Sequence, residues 1–241
     1  MVLLRGDSLV CSNGLTVKHP TLAEIYDEIG MEEWSFFISL FTTTPYEQMV
    51  ILDNVGQDYE KISNYDLFLM IFSTIRDFKT FNYMFNKING KYFTFRDSVK
   101  KQTVIYLGKD GELINRQIYN EISNYIRKIS GAVSEKQLKF GNNATKKRYL
   151  AQQKKKAKRE AKRKNKNGND WLENVVSALV WSAESKYNFT TIYDLKIYQI
   201  MNGIKRISKS RDVYYKSMGV YSGNLDPKKL SESDFNWIGK L

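Results

Sequence analysis

The chain has 241 residues, of which 42% are hydrophobic and 14% aromatic, so it can bury a core and global disorder is excluded. It holds a single cysteine, which excludes an internal disulfide and fits a reducing compartment. No apolar run approaches the roughly 20 residues of a membrane span. The amino terminus also lacks the layout of a secretion signal. We therefore expect a soluble, intracellular protein that has no membrane partner.

The formal net charge of +12 is concentrated in one segment. Residues Lys146 to Lys166 contain 12 Lys or Arg and a single acid, Glu160, so this segment alone carries +11. The rest of the chain is close to neutral. Such a distribution favours two folded modules joined by a charged connector over a protein whose whole surface is basic.

The first segment begins with short apolar runs that predict strands at Val2–Leu4, Ser8–Cys11 and Leu15–Lys18. Asn13-Gly14 between the last two is a two-residue hairpin signal. Arg5-Gly6-Asp7 between the first two is interpreted as a turn.

Helical patterns follow. Thr21 with Glu24 three residues later predicts a capping box, and Gly30 is expected just past the carboxyl end of that helix. Further helices are predicted at Glu32–Phe41, Tyr46–Leu52 and Asn64–Ile75. The expected inward residues are Trp34, Phe37, Ile38 and Phe41 in the first of these, and Leu67, Met70, Ile71 and Ile75 in the last.

Strands are predicted next at Tyr92–Phe95, Thr103–Leu107 and Glu112–Ile114, and an amphipathic helix at Asn115–Ile129. The inward face of that helix is Ile118, Ile122, Tyr125 and Ile129. Residues 1–131 are thus predicted to form a helix-rich α+β domain with a small antiparallel sheet.

Residues 132–169 are predicted to be a basic helical linker, because good helix formers dominate it. Only Tyr149 and Leu150 could anchor this helix in a core, so we expect a solvated helix or a frayed tether.

Residues 170–241 are predicted to be a small all-α domain, beginning with a helix at Trp171–Leu179. A longer helix begins near Thr190, and the tail after Ser231 is expected to dock on it. Apolar residues recur along this longer helix at spacings of 4 and 3, which is typical of a core-facing helix in a small bundle, with a coiled coil as the alternative. The seam is Tyr193, Ile197, Ile200, Ile204, Ile207, Arg211, Tyr214 and Met218.

The chain offers few side chains for catalysis. His19 and Cys11 are interpreted as packed residues, and histidine-based triads or zinc fingers need more of these residues than the chain holds. The nearest acidic pairs, such as Asp53 with Asp58, have no partners that would bind magnesium. We predict no enzyme activity, metal or cofactor. A metal-dependent phosphodiesterase built from dispersed acids stays open.

The basic segment is the candidate for contact with nucleic acid or an acidic partner. Its cations lack interleaved aromatic residues, so any such contact is expected to be nonspecific. The candidate residues are Lys146, Lys147, Arg148, Lys154, Lys155, Lys156, Lys158, Arg159, Lys162, Arg163, Lys164 and Lys166.

Several stretches resemble small proteins of tailed phages of Gram-positive bacteria. In the amino-terminal half they are Leu4-Arg5-Gly6, Val17–Ile29 (VKHPTLAEIYDEI) and Ile62–Leu69 (ISNYDLFL). In the carboxy-terminal half they are Thr191–Arg206 (TIYDLKIYQIMNGIKR) and Trp237-Ile238-Gly239, with Lys196 where the family pattern has threonine. The likeness covers about half of the chain, and its motifs are packing motifs.

The resemblance implies a tail assembly chaperone, a non-enzymatic protein that holds the tape-measure protein and recruits tail-tube subunits in the host bacterial cytoplasm. Oligomers are possible. The alternative is a nonspecific nucleic-acid-binding accessory protein that uses residues 146–166. The predicted protein-docking residues are Trp171, Val175, Tyr193, Ile197, Ile200 and Ile204.

Overall fold

The computed structural model describes residues 3–85, 92–97, 102–107, 112–133, 140–164 and 171–239. The helices are α1 (Leu22–Glu24, continued by a π-helical segment, Ile25–Ile29), α2 (Met31–Thr42), α3 (Met49–Asn54), α4 (Asn64–Phe72), α5 (Lys79–Met84), α6 (Arg116–Ser130), α7 (Asn143–Lys164), α8 (Trp171–Val180), α9 (Ile197–Tyr221) and α10 (Glu232–Phe235). The strands are β1 (Leu9–Val10), β2 (Thr16–Val17), β3 (Tyr92–Asp97), β4 (Gln102–Leu107) and β5 (Glu112–Ile114).

Two antiparallel sheets confirm the α+β fold class. Strands β1 and β2 pair across the predicted hairpin, where Gly14 has a φ of +88° that side-chain-bearing residues rarely adopt. Strands β3, β4 and β5 form a meander in which Phe93 lies opposite Tyr106 and Tyr106 opposite Leu113. The predicted strand at Val2–Leu4 is wrong, because Leu3–Arg5 form a 3₁₀ turn.

Local capping fixes the first helix. The Thr21 side chain accepts from the Glu24 N–H at 3.1 Å, and the Glu24 carboxylate accepts from the Thr21 N–H at 2.7 Å. This reciprocal pair satisfies two amides that the helix leaves open. Gly30 ends the following π-helical segment with a φ of +97°. Both features of the sequence prediction are confirmed.

The core of the first segment is built from aromatic rings on three helices. Phe41 of α2, Phe68 of α4 and Tyr119 of α6 pack with ring centroids 4.8–6.0 Å apart. Tyr65 connects this core to the larger sheet, since its hydroxyl donates to the carbonyl oxygens of Thr103 and Ile114 at 2.7 and 2.9 Å. Burial raises the pKa of Tyr65 to about 12.

Helix α4 differs from the prediction at two points. It ends at Phe72 rather than Ile75, and Met70, expected to point inward, is 40% exposed. Phe68 and Phe72 occupy the inward face one turn apart, and Met70 lies halfway between them, about 200° around the helix. The position of Met70 therefore follows from which face the aromatic residues take.

Helix α6 matches its prediction closely. Asn115 caps it through a 3.0 Å bond from the Ile118 N–H, and the predicted inward residues, Ile118, Ile122, Tyr125 and Ile129, are all buried. The helix contacts α2 and also α9. Its position makes it the element to which both the first segment and the carboxy-terminal helices attach.

The carboxy-terminal helices share one hydrophobic core with the first segment. Leu172 and Val176 of α8, and Ile197 and Ile200 of α9, belong to the same buried cluster as Ile126 of α6. Backbone hydrogen bonds also join the two parts. The Ile197 N–H donates to the Pro20 carbonyl oxygen at 3.1 Å, and the Leu22 N–H donates to the Leu195 carbonyl oxygen at 2.9 Å. The division into domains 1–131, 132–169 and 170–241 stays a prediction. The first and last of these parts share a continuous hydrophobic core.

We predict that Ile200→Ala destabilises the first segment together with α9. Ile200 is fully buried in the shared core, and a deletion of this kind costs about 2–5 kcal/mol of unfolding free energy. Hydrogen exchange should show faster exchange in both α6 and α9. Tyr221→Ala, at a side chain that is 87% exposed, is the control and should leave exchange unchanged. Loss of protection confined to α9 would contradict the shared core.

Candidate functional site

Helix α7 lies against the body of the protein along one face. The Tyr149 ring stacks on Tyr46, with centroids 6.4 Å apart, and also contacts Phe140 at 5.2 Å. Leu150 packs beside it on a second buried cluster that includes Met49 and Leu52 of α3. The basic segment is helical as far as Lys164, which confirms the helix among the two forms expected for it. The helix is packed on one face and not fully solvated. Tyr149 and Leu150 are its anchors, and they hold it against α3.

Two lysines of the same face form ion pairs with acids in α3 and in the segment that follows it. Lys146 Nζ lies 2.6 Å from Glu60 and 3.2 Å from Asp58, and Lys154 Nζ lies 2.5 Å from Asp53. Hydrogen bonding to Glu60 raises the pKa of Lys146. These pairs are partly exposed, so each adds little stability, but together they fix the rotation of α7 about its axis.

The other face of α7 carries exposed cations. Arg148, Lys155 and Arg159 follow one another at spacings of 7 and 4 residues, so they form one stripe. Lys147 and Lys158 lie beside them and are also exposed. Among the described side chains, none of these five has an ion-pair partner, whereas Lys156 faces Glu160 at 3.9 Å. We call Lys147, Arg148, Lys155, Lys158 and Arg159 the cationic stripe.

The structure thus sorts the predicted basic residues into two groups. Lys146 and Lys154 hold the helix in place, and the cationic stripe faces solvent. Lys162, Arg163 and Lys164 lie on the last turn of α7, and Lys166 falls outside the described residues. Sequence alone gave no reason to separate these groups, because charge counting treats every lysine alike.

The predicted protein-docking residues are divided in the same way by burial. Ile197 and Ile200 are fully buried and serve the core, so they are withdrawn from the docking set. Trp171, Val175 and Ile204 are half-buried and pack against that core. Tyr193 is 37% exposed and makes an edge contact with Tyr26. For these four, docking stays a prediction.

The predicted seam of α9 continues beyond the core onto the surface. Tyr214, Met218 and Tyr221 continue the spacing of Ile200, Ile204 and Ile207 on the same side of the helix. They are exposed by 61%, 49% and 87%, respectively. We call Tyr214, Met218 and Tyr221 the apolar extension. The bundle interpretation therefore holds for the first half of the seam, and the second half has no covering element among the described residues.

Arg211 marks the boundary between the two halves. Its Nε donates to Glu184 at 3.0 Å, and one terminal nitrogen donates to Glu184 and Ser182 at 2.9 and 3.1 Å. The Arg211 hydrogen bond lowers the pKa of Glu184 to about 2. Trp181, which precedes Ser182, is 77% exposed and makes an edge contact with Phe189, so further aromatic surface lies beside this boundary.

The tail docks on a different side of α9 through polar groups. One nitrogen of Arg206 donates to the carbonyl oxygens of Trp237, Ile238 and Gly239 at 2.8–3.0 Å. Lys216 pairs with Asp234 at 2.8 Å and lies about 200° around the helix from Tyr214. The predicted docking of the tail is confirmed. Phe235, Trp237 and Ile238 remain exposed. The apolar extension also stays exposed with the tail in place, so the tail leaves it open.

The two candidate reactive residues are packed in the interior, as predicted. Cys11 is buried in the main core. His19 is 2% exposed, and its Nε2 accepts from the Tyr198 N–H at 3.3 Å, which links the first segment to α9. Burial, with Lys196 as the second cause, lowers the pKa of His19 to about 4.

The acids do not gather into a metal site in the part of the chain that the structure describes. No group of three or more His, Cys, Asp or Glu side chains there could hold an ion. Asp53 and Asp58, the acidic pair singled out in the sequence, are instead occupied by Lys154 and Lys146. Within the described ranges, no helix has both the length and the apolarity to span a bilayer.

Comparison with known proteins associates the carboxy-terminal third with phages. Residues 162–241 match a family model described as the second domain of YomV, which is a protein of Bacillus phages and prophages. The matched region includes α8, α9 and the tail. No curated protein matches the chain, and no solved structure matches it. The family match supports the phage part of the resemblance and does not identify a tail assembly chaperone.

We predict that His19 makes stability depend on pH. Because its folded pKa of about 4 lies below the ordinary 6.5, the unfolded chain binds a proton first as pH falls. The unfolding free energy should therefore decrease between pH 6.5 and pH 4, by up to about 1.4 kcal/mol per pH unit. Urea unfolding at pH 7, 6 and 5 measures this decrease. His19→Gln keeps a hydrogen-bond acceptor for the Tyr198 N–H. It should remove the decrease in unfolding free energy between pH 6.5 and pH 5. An identical slope in both proteins would refute the assignment.

Proposed function

We propose that the chain is a non-enzymatic phage tail morphogenesis protein, a tail assembly chaperone that binds tape-measure and tail-tube proteins. The phage likeness of residues 162–241 supports the phage setting. The motifs of both halves support the chaperone assignment by resemblance. The single observation that carries the proposal is the apolar extension of α9, which offers a protein-binding surface.

The geometry of this surface favours a helical partner. Tyr214, Met218 and Tyr221 are spaced by 4 and 3 residues, so they form a ridge along one side of the helix. Ridges of this kind pack into the grooves of a second helix. The first half of the same seam already does so against α6 and α8. We propose that an amphipathic helix of the tape-measure protein occupies the second half.

Charge has a small part in this contact. The charged side chain that lies on the same side of the helix as the ridge, Arg211, is neutralised by Glu184. Lys216, on the opposite side of the helix, is paired with Asp212 and Asp234. Recognition should then depend on the burial of aromatic and methionine surface, which contributes about 1.5–3 kcal/mol for each fully buried side chain. Binding through this surface should change little with salt concentration.

The test is the triple substitution Tyr214→Ser, Met218→Ser and Tyr221→Ser. All three side chains are exposed, so the fold should be retained. We expect binding to purified tape-measure segments, measured by calorimetry, to weaken by about 100-fold or more, because each lost contact costs about 1 kcal/mol or more.

The matched control replaces two other exposed apolar residues, Val10→Ser and Val133→Ser, which lie far from α9 in the sequence. This variant should bind as the unchanged chain does. Equal binding by all three proteins would rule out the apolar extension as the docking site. Absence of binding between the unchanged chain and any tape-measure or tail-tube protein would refute the chaperone assignment itself.

A further inference from the structure

We infer that helix α7 binds the phosphate backbone of duplex nucleic acid through its cationic stripe, without reading the base sequence. This activity lies outside the proposed protein-binding function and uses a different surface. It rests on the separation of the two faces of α7. Lys146 and Lys154 form ion pairs with acids of the body, while the five stripe residues face solvent.

The anchoring of α7 makes the stripe a fixed array. Lys146 pairs with Glu60 and Lys154 with Asp53, so the helix is held over about two turns of its inner face. Between them, Tyr149 stacks on Tyr46. A charged helix free in solution would have to be ordered on binding, at a cost in conformational entropy. Here that ordering is already achieved by folding, so the phosphate contacts are preorganised.

The spacing of the cations suits a duplex. Lys147 and Arg148 lie at one end of the stripe and Lys158 and Arg159 at the other, 11 residues apart, which is about 16 Å along a helix. Lys155 lies between them. The major groove of duplex DNA is about 12 Å wide, so the two ends of the stripe can reach phosphates on both of its sides.

The absence of aromatic residues from the stripe argues against single strands. Proteins that hold single-stranded nucleic acid stack the bases on aromatic rings, and the stripe itself contains only Lys and Arg. Tyr149, the one aromatic residue of α7, is turned inward onto Tyr46 and Phe140. Backbone contact to a duplex needs no stacking, and it carries no base specificity.

The expected signature is a steep dependence on salt. If all five cations contact phosphates of B-DNA, the logarithm of the binding constant should fall with the logarithm of the salt concentration with a slope of about −4 to −5. Binding through the apolar extension, in contrast, should change little with salt concentration. The two surfaces are therefore distinguishable in the same protein by salt alone.

The experiment measures binding of the full chain to a 20-base-pair DNA duplex by fluorescence anisotropy between about 50 and 300 mM salt, the range over which counterion release is resolved. The outward variant carries Lys155→Gln, Lys158→Gln and Arg159→Gln. The matched inward variant carries Lys146→Gln and Lys154→Gln, whose lysines pair with acids of the body. Its third change is Lys156→Gln, at an exposed lysine that already lies 3.9 Å from Glu160 of the same helix. Both lose three positive charges, so their net charges are equal.

We expect the outward variant to bind at least 10-fold more weakly at low salt, with a slope smaller by about 2 to 3. The inward variant should keep most of the slope and show a lower melting temperature. Equal losses in the two variants would overturn the inference, because bulk charge would then explain the binding. Tighter binding to a single strand of the same length, or equal competition by a polyglutamate peptide, would also overturn it. Circular dichroism checks that α7 stays helical in both variants.

Discussion

The structure depends on the burial of helix α6 between two neighbours. Its apolar residues, among them Ile122 and Ile126, are fully buried, and the helix contacts both α2 of the first segment and α9 of the carboxy-terminal part. The aromatic cluster around Phe41 forms on one side of it, and the Ile197–Ile200 turn packs into the same core. Each apolar side chain buried there contributes about 1.5–3 kcal/mol, so α6 couples the stability of the two parts.

The lengths of the helices explain why α9 presents an apolar surface. Helix α9 has 25 residues and α6 has 15, so at 1.5 Å per residue α9 is longer by about 15 Å. The seam runs through both halves at unchanged spacing, but the core supports only the first. Arg211, held by Glu184, stands where the support ends. The tail could have covered the remainder, yet Arg206 and Lys216 hold it on other sides of the helix.

A similar division gives α7 two roles. Its inner face uses Tyr149, Leu150 and two lysines to attach the helix to α3 and the residues next to it. Its outer face presents the cationic stripe, whose members form no ion pair with a described side chain. The strongly basic segment is therefore held in a fixed position on the folded body, with its cationic stripe facing solvent. One protein thus carries an apolar surface on α9, whose binding should change little with salt, and a cationic surface on α7, whose binding should weaken steeply as salt rises.

The sequence by itself determined the local elements, because their signals act over a few residues. The capping box at Thr21, the hairpin at Asn13-Gly14 and the inward face of α6 all follow from hydrogen-bonding side chains or periodicity that a single element contains. The α+β class follows from these elements. The interpretation of His19 and Cys11 as packed residues also follows from local sequence, because Cys11 lies in a short apolar run and His19 lies between a predicted strand and a predicted helix.

Only the tertiary structure decided which part of a regular pattern becomes core and which becomes surface. Ile200 and Tyr214 occupy equivalent positions in one seam, but the first is buried and the second is 61% exposed, because neighbouring helices cover only one of them. Lys154 and Lys155 are adjacent in the sequence, and rotation of α7 against α3 directs one to Asp53 and the other to solvent. Contacts between distant segments set both outcomes, and periodicity within one segment carries no record of them.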